Sequence, residues 1–600
     1  MSELLKDNPF AVQSPDDISA GDAHDLFVDV FTDFDKLPLV GHTFIHGPRG
    51  SGKSMMFRYM QADCQSIAKG RPVHELPYFA AYVPIKNMQT NFTELKRLEG
   101  HAANFVINEH VLSIYIVEKL LDALRTGKIE FDYASTTVEQ AQEVFTNSFC
   151  KPLAQCRWKG DNHIDKIDSV PSLFRVMHEV ALKLVQELNA FLKILSMNQA
   201  AVEDYDGPLC GYHDFILPLF RGLRTLPCFP QAPFFLLIDD ADNLNVAQTQ
   251  LLNAWIGTRT HSEVSLKVST QLRYKTYLTH TGRSIDSPHD FSEIQISTIY
   301  TSSHRRYFDR VKAIVEKRLR KAGITTSTEE FFPEDQNQVE EIATIAERIR
   351  ADWDRGEGRG ARSRDDVTRY SRPEFIRSLG GNRKSTSTYS YSGFNQLVSL
   401  SSGVVRCFLE PASHMYSEQK ATIGTAGTVK CIEPAIQNQK AREFALKFLH
   451  ADIEKLKRDF VTQGEERLST LDKLENLLHA LGGTFAGLLD SDRAERRVFS
   501  IAFSDKLDKE VSETLRLGVE EGYFHESTIG NKEGTGRTKL FVLNRVLAPC
   551  FNLDPTSFAG YLFVTNERVK QAMRSPSSYL RDLEKVGHRN FFDSEQLELL

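Results

Sequence analysis

The octapeptide Gly47-Pro48-Arg49-Gly50-Ser51-Gly52-Lys53-Ser54 fits the spacing G-x-x-x-x-G-K-[ST] at every fixed position. Glycines let successive backbone N–H groups turn inward around phosphate oxygens with no Cβ in the way. Lys53 offers a point charge to β- and γ-phosphates, and Ser54 offers a hydroxyl to Mg2+. Upstream, Thr43-Phe44-Ile45-His46 is short and apolar enough for a buried strand, and downstream Ser54–Gln61 is rich in helix formers. Strand, glycine loop and helix is the order a phosphate cradle needs, because the helix then aims its positive N-terminus at the anion. Gly47, Pro48, Arg49, Gly50, Ser51, Gly52, Lys53, Ser54 and Met55 are the expected nucleotide-contacting residues.

A second stretch supports this reading. Phe234-Phe235-Leu236-Leu237-Ile238-Asp239-Asp240 is an apolar run ending in two carboxylates, the pattern of a central parallel strand buried on both faces. Ligands of such sheets sit at the carboxyl ends of strands. Asp239 is placed to hold Mg2+ through water and Asp240 to polarise an attacking water. The same residues also read as a strand followed by an acidic turn or a helix cap, since Asp242 and Asn243 follow.

The rest of the composition bounds the answer. The chain has 600 residues, 41% hydrophobic and 26% charged, which excludes a fibrous or wholly disordered protein. Its 73 basic and 80 acidic residues give a net charge of −7, which argues against a globally basic nucleic-acid coat. The chain has no apolar run long enough for a membrane span, and its start, MSELLKDNPF, has no signal-peptide pattern, so a cytoplasmic location without membrane partners is expected. Eight cysteines without CxxC spacing read as free thiols in a reducing compartment. The sequence contains no N-K-x-D for guanine, no HExxH and no GxSxG. Leu400-Ser401-Ser402-Gly403-Val404 follows the acidic strand, the wrong side for a transporter-type signature.

GPRGSGKS, FFLLIDDADNL, a polar strand end, a helical lid pattern and a C-terminal winged-helix pattern together resemble the AAA+ ATPases of the origin-recognition initiator clade and the related STAND NTPases. Asn8-Pro9-Phe10 is similar to the lead-in segment of that clade. The resemblance covers roughly residues 8–90, 230–325, 390–415 and 470–550. It implies an α/β fold, a P-loop AAA+-like parallel sheet core with a helical insertion, a helical lid and a C-terminal winged helix. It also implies ATP with Mg2+, ATP hydrolysis and a homo-oligomer. Prokaryotic ATPases of this type resemble components of anti-phage defence systems, which implies a separately encoded effector protein. The alternative is an initiator or loader acting on DNA or another nucleic acid.

The resemblance assigns further roles. Val264–Gln271 is the next strand, and Thr270 or Gln271 at its polar end is the expected sensor of the γ-phosphate. Tyr307, Val311, Ile314, Val315 and Leu319 mark an amphipathic lid helix. Arg406, in Ser401–Leu409, is the expected lid arginine that reaches the γ-phosphate. Arg283, ahead of the last core strand Ile294-Gln295-Ile296, is the candidate arginine finger, with Arg273 and Arg305 competing. Asp240 stands where hydrolytic members carry glutamate; it is one methylene shorter, and STAND-type switches carry paired aspartates, so slow turnover with nucleotide as a conformational switch is expected.

Expected boundaries follow. Residues 1–300 form the ATPase core, with a helical insertion at about 90–225, because Lys53 and Asp239 lie 186 positions apart. Residues 301–435 form the lid, interrupted by a mobile Gly/Arg- and Ser-rich loop at about 352–392, whose Arg355, Arg359, Arg362, Arg364 and Arg369 read either as contacts to phosphate backbones or as part of a solvated linker balanced by acids such as Asp365 and Asp366. A helical connector spans 436–467, a winged helix 468–560 and a tail 561–600. The winged helix reads as a helix through Leu471 and Leu481, a strand at Val498–Ala502, a helix through Val511, Leu515 and Val519, and a hairpin around a glycine-rich tip. Its second helix is acidic, while Lys532, Arg537 and Lys539 sit on the wing, so DNA contact and protein docking are both open readings.

Overall fold

The run Phe234–Ile238 carries no polar residue, so it can exist only with both faces covered. In a computed structural model of the chain it is the fully buried strand β3 (Phe234–Asp239). The structure describes all residues except 1–6, 13, 30–33, 89–92, 161–166, 198–204, 259–261, 273, 297–303, 359–361, 380–388, 425–426, 461–464, 491–497, 531–536, 557–559 and 587–600. It divides into two compact units: Gln13–Gly47 with Gly52–Ile296, and Met1–Val12 with Pro48–Ser51 and Ser297–Leu600.

The first unit is built on a parallel five-stranded sheet. With β1 (Thr43–His46), β2 (Phe79–Pro84), β4 (Val264–Thr270) and β5 (Ser292–Gln295), the order is β2-β3-β4-β1-β5. The register pairs His46 with Thr270 and Ile238 with Val268, so the carboxyl ends of β1, β3 and β4 finish along one edge. β4 alternates apolar and polar residues, yet all of it is buried. The polar face is accommodated locally. Lys267 Nζ donates to the carbonyls of Leu39 and Gly41, both at 2.7 Å, and lies over the Phe235 ring. Burial pulls its pKa down to about 7.

The long insertion belongs to this unit's core. Helices Asn104–Arg125 and Val170–Met197 contribute Leu112, Leu120, Leu173 and Phe174 to the same apolar cluster as Val83, Leu236 and Leu266. Tyr115 Oη donates to the Pro84 carbonyl at 2.6 Å, which ties the first of these helices to the end of β2.

In the second unit the expected lid helix is His304–Lys321, with Tyr307, Val311, Ile314, Val315 and Leu319 all buried. The lead-in segment packs here. Phe10 is enclosed by the rings of Phe331, Phe332 and Tyr416, and Asn8 Nδ2 donates to the Ser413 carbonyl at 2.8 Å. The expected mobile loop at 352–392 is corrected in part, because Ser363–Ser378 forms a helix that buries Tyr370, Phe375 and Ile376. Arg364 and Arg369 lie on that helix, while Arg355 pairs with Asp352 and Glu357; Arg359 lies outside the described residues.

The winged-helix pattern forms a four-stranded sheet, β6 (Val498–Phe503), β7 (Phe524–Gly530), β8 (Arg537–Leu543) and β9 (Gly560–Val564), in the order β7-β8-β6-β9. Residues 561–586, expected as tail, supply all of β9 but its first residue, Gly560, and helices Asn566–Arg574 and Pro576–Val586; the helices pack on the long helix Glu465–Asp490. No helix among the described residues is long and apolar enough to cross a membrane.

Candidate functional site

β1 ends at His46, and the chain must leave the sheet there without a side chain in its path. Gly47 N–H donates to the Thr270 carbonyl at 3.2 Å, which pins the start of the loop to the end of β4. Gly50 and Gly52 have φ of +83° and +102°, a conformation that costs an L-residue energy and glycine nothing. Gly52 caps helix Lys53–Met60. The Lys53 ammonium is buried and donates to the Gly47 carbonyl at 2.8 Å. Ser51 Oγ is buried without a hydrogen-bond partner. A buried ammonium, an orphaned hydroxyl and two left-handed glycines at a helix N-terminus fit a bound polyanion. In the second unit, the Arg406 N–H donates to the Gly50 carbonyl at 3.2 Å, and a Cβ on Gly50 would lie 2.6 Å from Arg406 Cβ. Arg406 is the second residue of helix Val405–Ile423, and its side chain is exposed.

The acid pair sits at the tip of β3. Asp239 is buried; its Oδ2 accepts from Tyr82 Oη at 2.9 Å and its Oδ1 accepts from Ser269 Oγ. Asp240 adopts the left-handed conformation (φ 54°, ψ 46°), and its N–H donates to Ser269 Oγ at 3.0 Å. A non-glycine residue in this region is uncommon, aspartate tolerates it better than most, and such outliers gather at functional sites. The oxygen donors of Asp239 and Ser54 suit a hard cation such as Mg2+.

Two further residues complete the sheet edge. Asp242, legible in the sequence as part of an acidic turn or a helix cap, accepts the Gln271 N–H on both carboxylate oxygens at 2.9 and 3.0 Å. Burial raises its pKa to about 6; the Gln271 N–H and the charge of Lys53 pull it down, and Asp240 pushes it up. His46 Nδ1 lies 2.8 Å from Thr270 Oγ1, and burial lowers its pKa to about 4, with the Lys53 charge acting in the same direction. A neutral His46 therefore braces Thr270, whose hydroxyl donates to the Gln271 carbonyl at 2.7 Å. Lys53, Asp239, Asp240, Asp242 and Thr270 thus share one edge of one sheet. Arg283 lies on the exposed turn closed by the Leu278–Ser284 bridge, with Nη2 3.7 Å from Asp290. Arg305 is exposed on the lid helix, and Arg273 falls outside the described residues.

The folded pKa of Asp242 exceeds the ordinary carboxyl value of 3.8, so between about pH 4 and 6 the native state binds more protons than the unfolded chain. The stabilising contribution is present below that window and is lost as pH rises through about 6. Asp242→Asn lacks this loss. Its melting temperature relative to the unsubstituted protein therefore rises from pH 5 to pH 7 in scanning calorimetry; a pH-independent difference would contradict the assignment.

A family model described as ORC-CDC6-like matches residues 8–563. Solved structures similar to the chain include the Orc1 protein of Aeropyrum pernix in complex with DNA, at 10% identity, covering 88% of this chain and 95% of that one with a TM-score of 0.26. Another is Cdc6p from Pyrobaculum aerophilum, at 11% identity, covering 92% and 91% with a TM-score of 0.26. No individually curated protein matches the chain significantly.

Proposed function

The chain belongs to the ORC-CDC6-like family, and on that premise we propose that it binds ATP with Mg2+, hydrolyses it slowly and uses the nucleotide state as a switch for assembly. The observation that carries the proposal is the convergence of Lys53 with the Asp239–Asp240 pair at one sheet edge, next to left-handed glycines and a helix N-terminus. Lys53 and the N–H groups of the loop through Met55 hold the phosphates. Ser54 and Asp239 would hold Mg2+, which when bound neutralises charge developing on the phosphate oxygens. Asp240 orients the attacking water. Thr270 or Gln271 and Arg406 report the γ-phosphate, and Arg283 is offered to a neighbouring copy. The switch gates a separately encoded effector, in prokaryotic antiviral defence.

A second reading, an initiator or loader acting on DNA, draws support from the winged-helix sheet. The charges of that module favour protein docking over phosphate contact. On helix Lys509–Glu520, Lys509 faces Glu513 and Arg516 faces Glu520, both at 3.9 Å, while on the wing Lys539 pairs with Glu526 at 2.8 Å. Lys532 lies outside the described residues. Mass photometry with a non-hydrolysable ATP analogue, paired with phosphate release with and without duplex DNA, separates the readings. The switch reading expects a shift to an oligomer and release that DNA leaves unchanged. An unchanged mass with DNA-stimulated release would favour the loader.

A further inference from the structure

We propose that His450, Glu475 and His479 bind one divalent transition-metal ion of the zinc class, clamping the helical connector to the first helix of the winged-helix domain. One ligand atom from each residue lies within 4.8 Å of the other two. Glu475 and His479 are four residues apart on helix Glu465–Asp490 and so share a face. His450 comes from a different element, the π-helical turn Lys447–Ala451 between helices Pro434–Leu446 and Asp452–Phe460. Such turns re-aim a side chain within an otherwise regular helix and recur at functional sites. His450 Nδ1 is 3.8 Å from Glu475 Oε1, and the two imidazole rings are 5.5 Å apart between centroids.

The surroundings orient these groups. Glu475 gives its other oxygen, Oε2, to Lys457 Nζ at 2.7 Å, which leaves Oε1 turned toward His450. A partner fixed on the far side of a carboxylate is how metal ligands are commonly oriented. The same ammonium holds Asp472 at 2.9 Å and Glu454 at 3.3 Å, so three carboxylates surround one lysine and the local charge favours a cation. The Phe551 ring meets His479 edge-on, 6.2 Å between centroids, and fixes its plane. His450 is half exposed, which leaves a solvent-side position for access and for a water ligand. Two imidazoles and one carboxylate suit zinc, whereas Mg2+ and Ca2+ prefer oxygen-only sets. Zinc bonds of about 2.0–2.1 Å put tetrahedral ligands about 3.4 Å apart, so side-chain rotations closing at most about 1.4 Å complete the site.

The test uses the full chain with Mg2+ in excess, so that the phosphate-loop site does not compete for the added metal. Zn2+ is titrated by calorimetry, and Co2+ is added separately to read the visible absorption of a tetrahedral site. The expected result is one more ion bound by the unsubstituted protein than by the His450→Ala/His479→Ala variant. Glu475→Gln should weaken that ion at least tenfold, and Lys53→Ala should leave it unchanged. Circular dichroism of each variant without metal shows whether it is folded. Equal zinc stoichiometry and affinity in the unsubstituted and double-variant proteins, or no tetrahedral Co2+ spectrum, would overturn the proposal.

Discussion

Lys53→Ala lowers the affinity for MgATP about 100-fold. The ammonium is buried and directed at the loop itself, donating to the Gly47 carbonyl. A charge-assisted hydrogen bond to an anion contributes about 1.5–3 kcal/mol, and in the proposed function the lysine serves two phosphates, so a loss of about 3 kcal/mol is expected. That converts to about two decades in Kd. The variant should not be less stable. A cation in the first turn of helix Lys53–Met60 opposes the helix dipole, and a buried charge is removed. Calorimetric titration together with a thermal melt therefore separates lost binding from lost fold. An affinity within threefold of the unsubstituted protein would contradict the role of this lysine.

Asp240→Asn lowers phosphate release about 100-fold while leaving ATP affinity nearly unchanged, the lower end of what a positioned acid–base group contributes. The substitution is clean because asparagine, like aspartate, tolerates the left-handed backbone that this position holds, and only the charge is lost. Asp239 is a poorer choice. It is buried and accepts from both Tyr82 and Ser269, so removing it strands two hydroxyls and mixes stability with chemistry. Single-turnover phosphate release and a binding titration on the same preparation check the expectation. Undiminished release would mean that another group, with Asp242 beside it the first to test, orients the water.

The parts of this architecture visible from sequence are those with a strong local pattern. The glycine loop, the apolar run of β3 and the lid helix each announce themselves within about ten residues. The ORC-CDC6-like membership agrees with the family those motifs resemble. What escaped depends on pairing across the chain. Asp242 reads as a cap, yet the helix beginning at Val246 is capped by Asn245, and Asp242 is left to hold the N–H of Gln271, the residue that follows β4. The strand at Gly560–Val564 is a five-residue apolar stretch whose identity comes only from parallel pairing with β6. Helix Ser363–Ser378 contains Pro373 and many charges, so composition argued for a loop, while burial of Tyr370, Phe375 and Ile376 decides for a helix. His450, Glu475 and His479 come from two separate helical elements, and no spacing rule links them.

The most direct test is an experimental structure with Mg2+ and a non-hydrolysable ATP analogue. The triphosphate is expected within hydrogen-bonding distance of the N–H groups at Gly50–Ser54 and of Lys53 Nζ, with the metal beside Ser54 and Asp239. Nucleotide bound elsewhere with an empty glycine loop, or a metal coordinated without either residue, would contradict it.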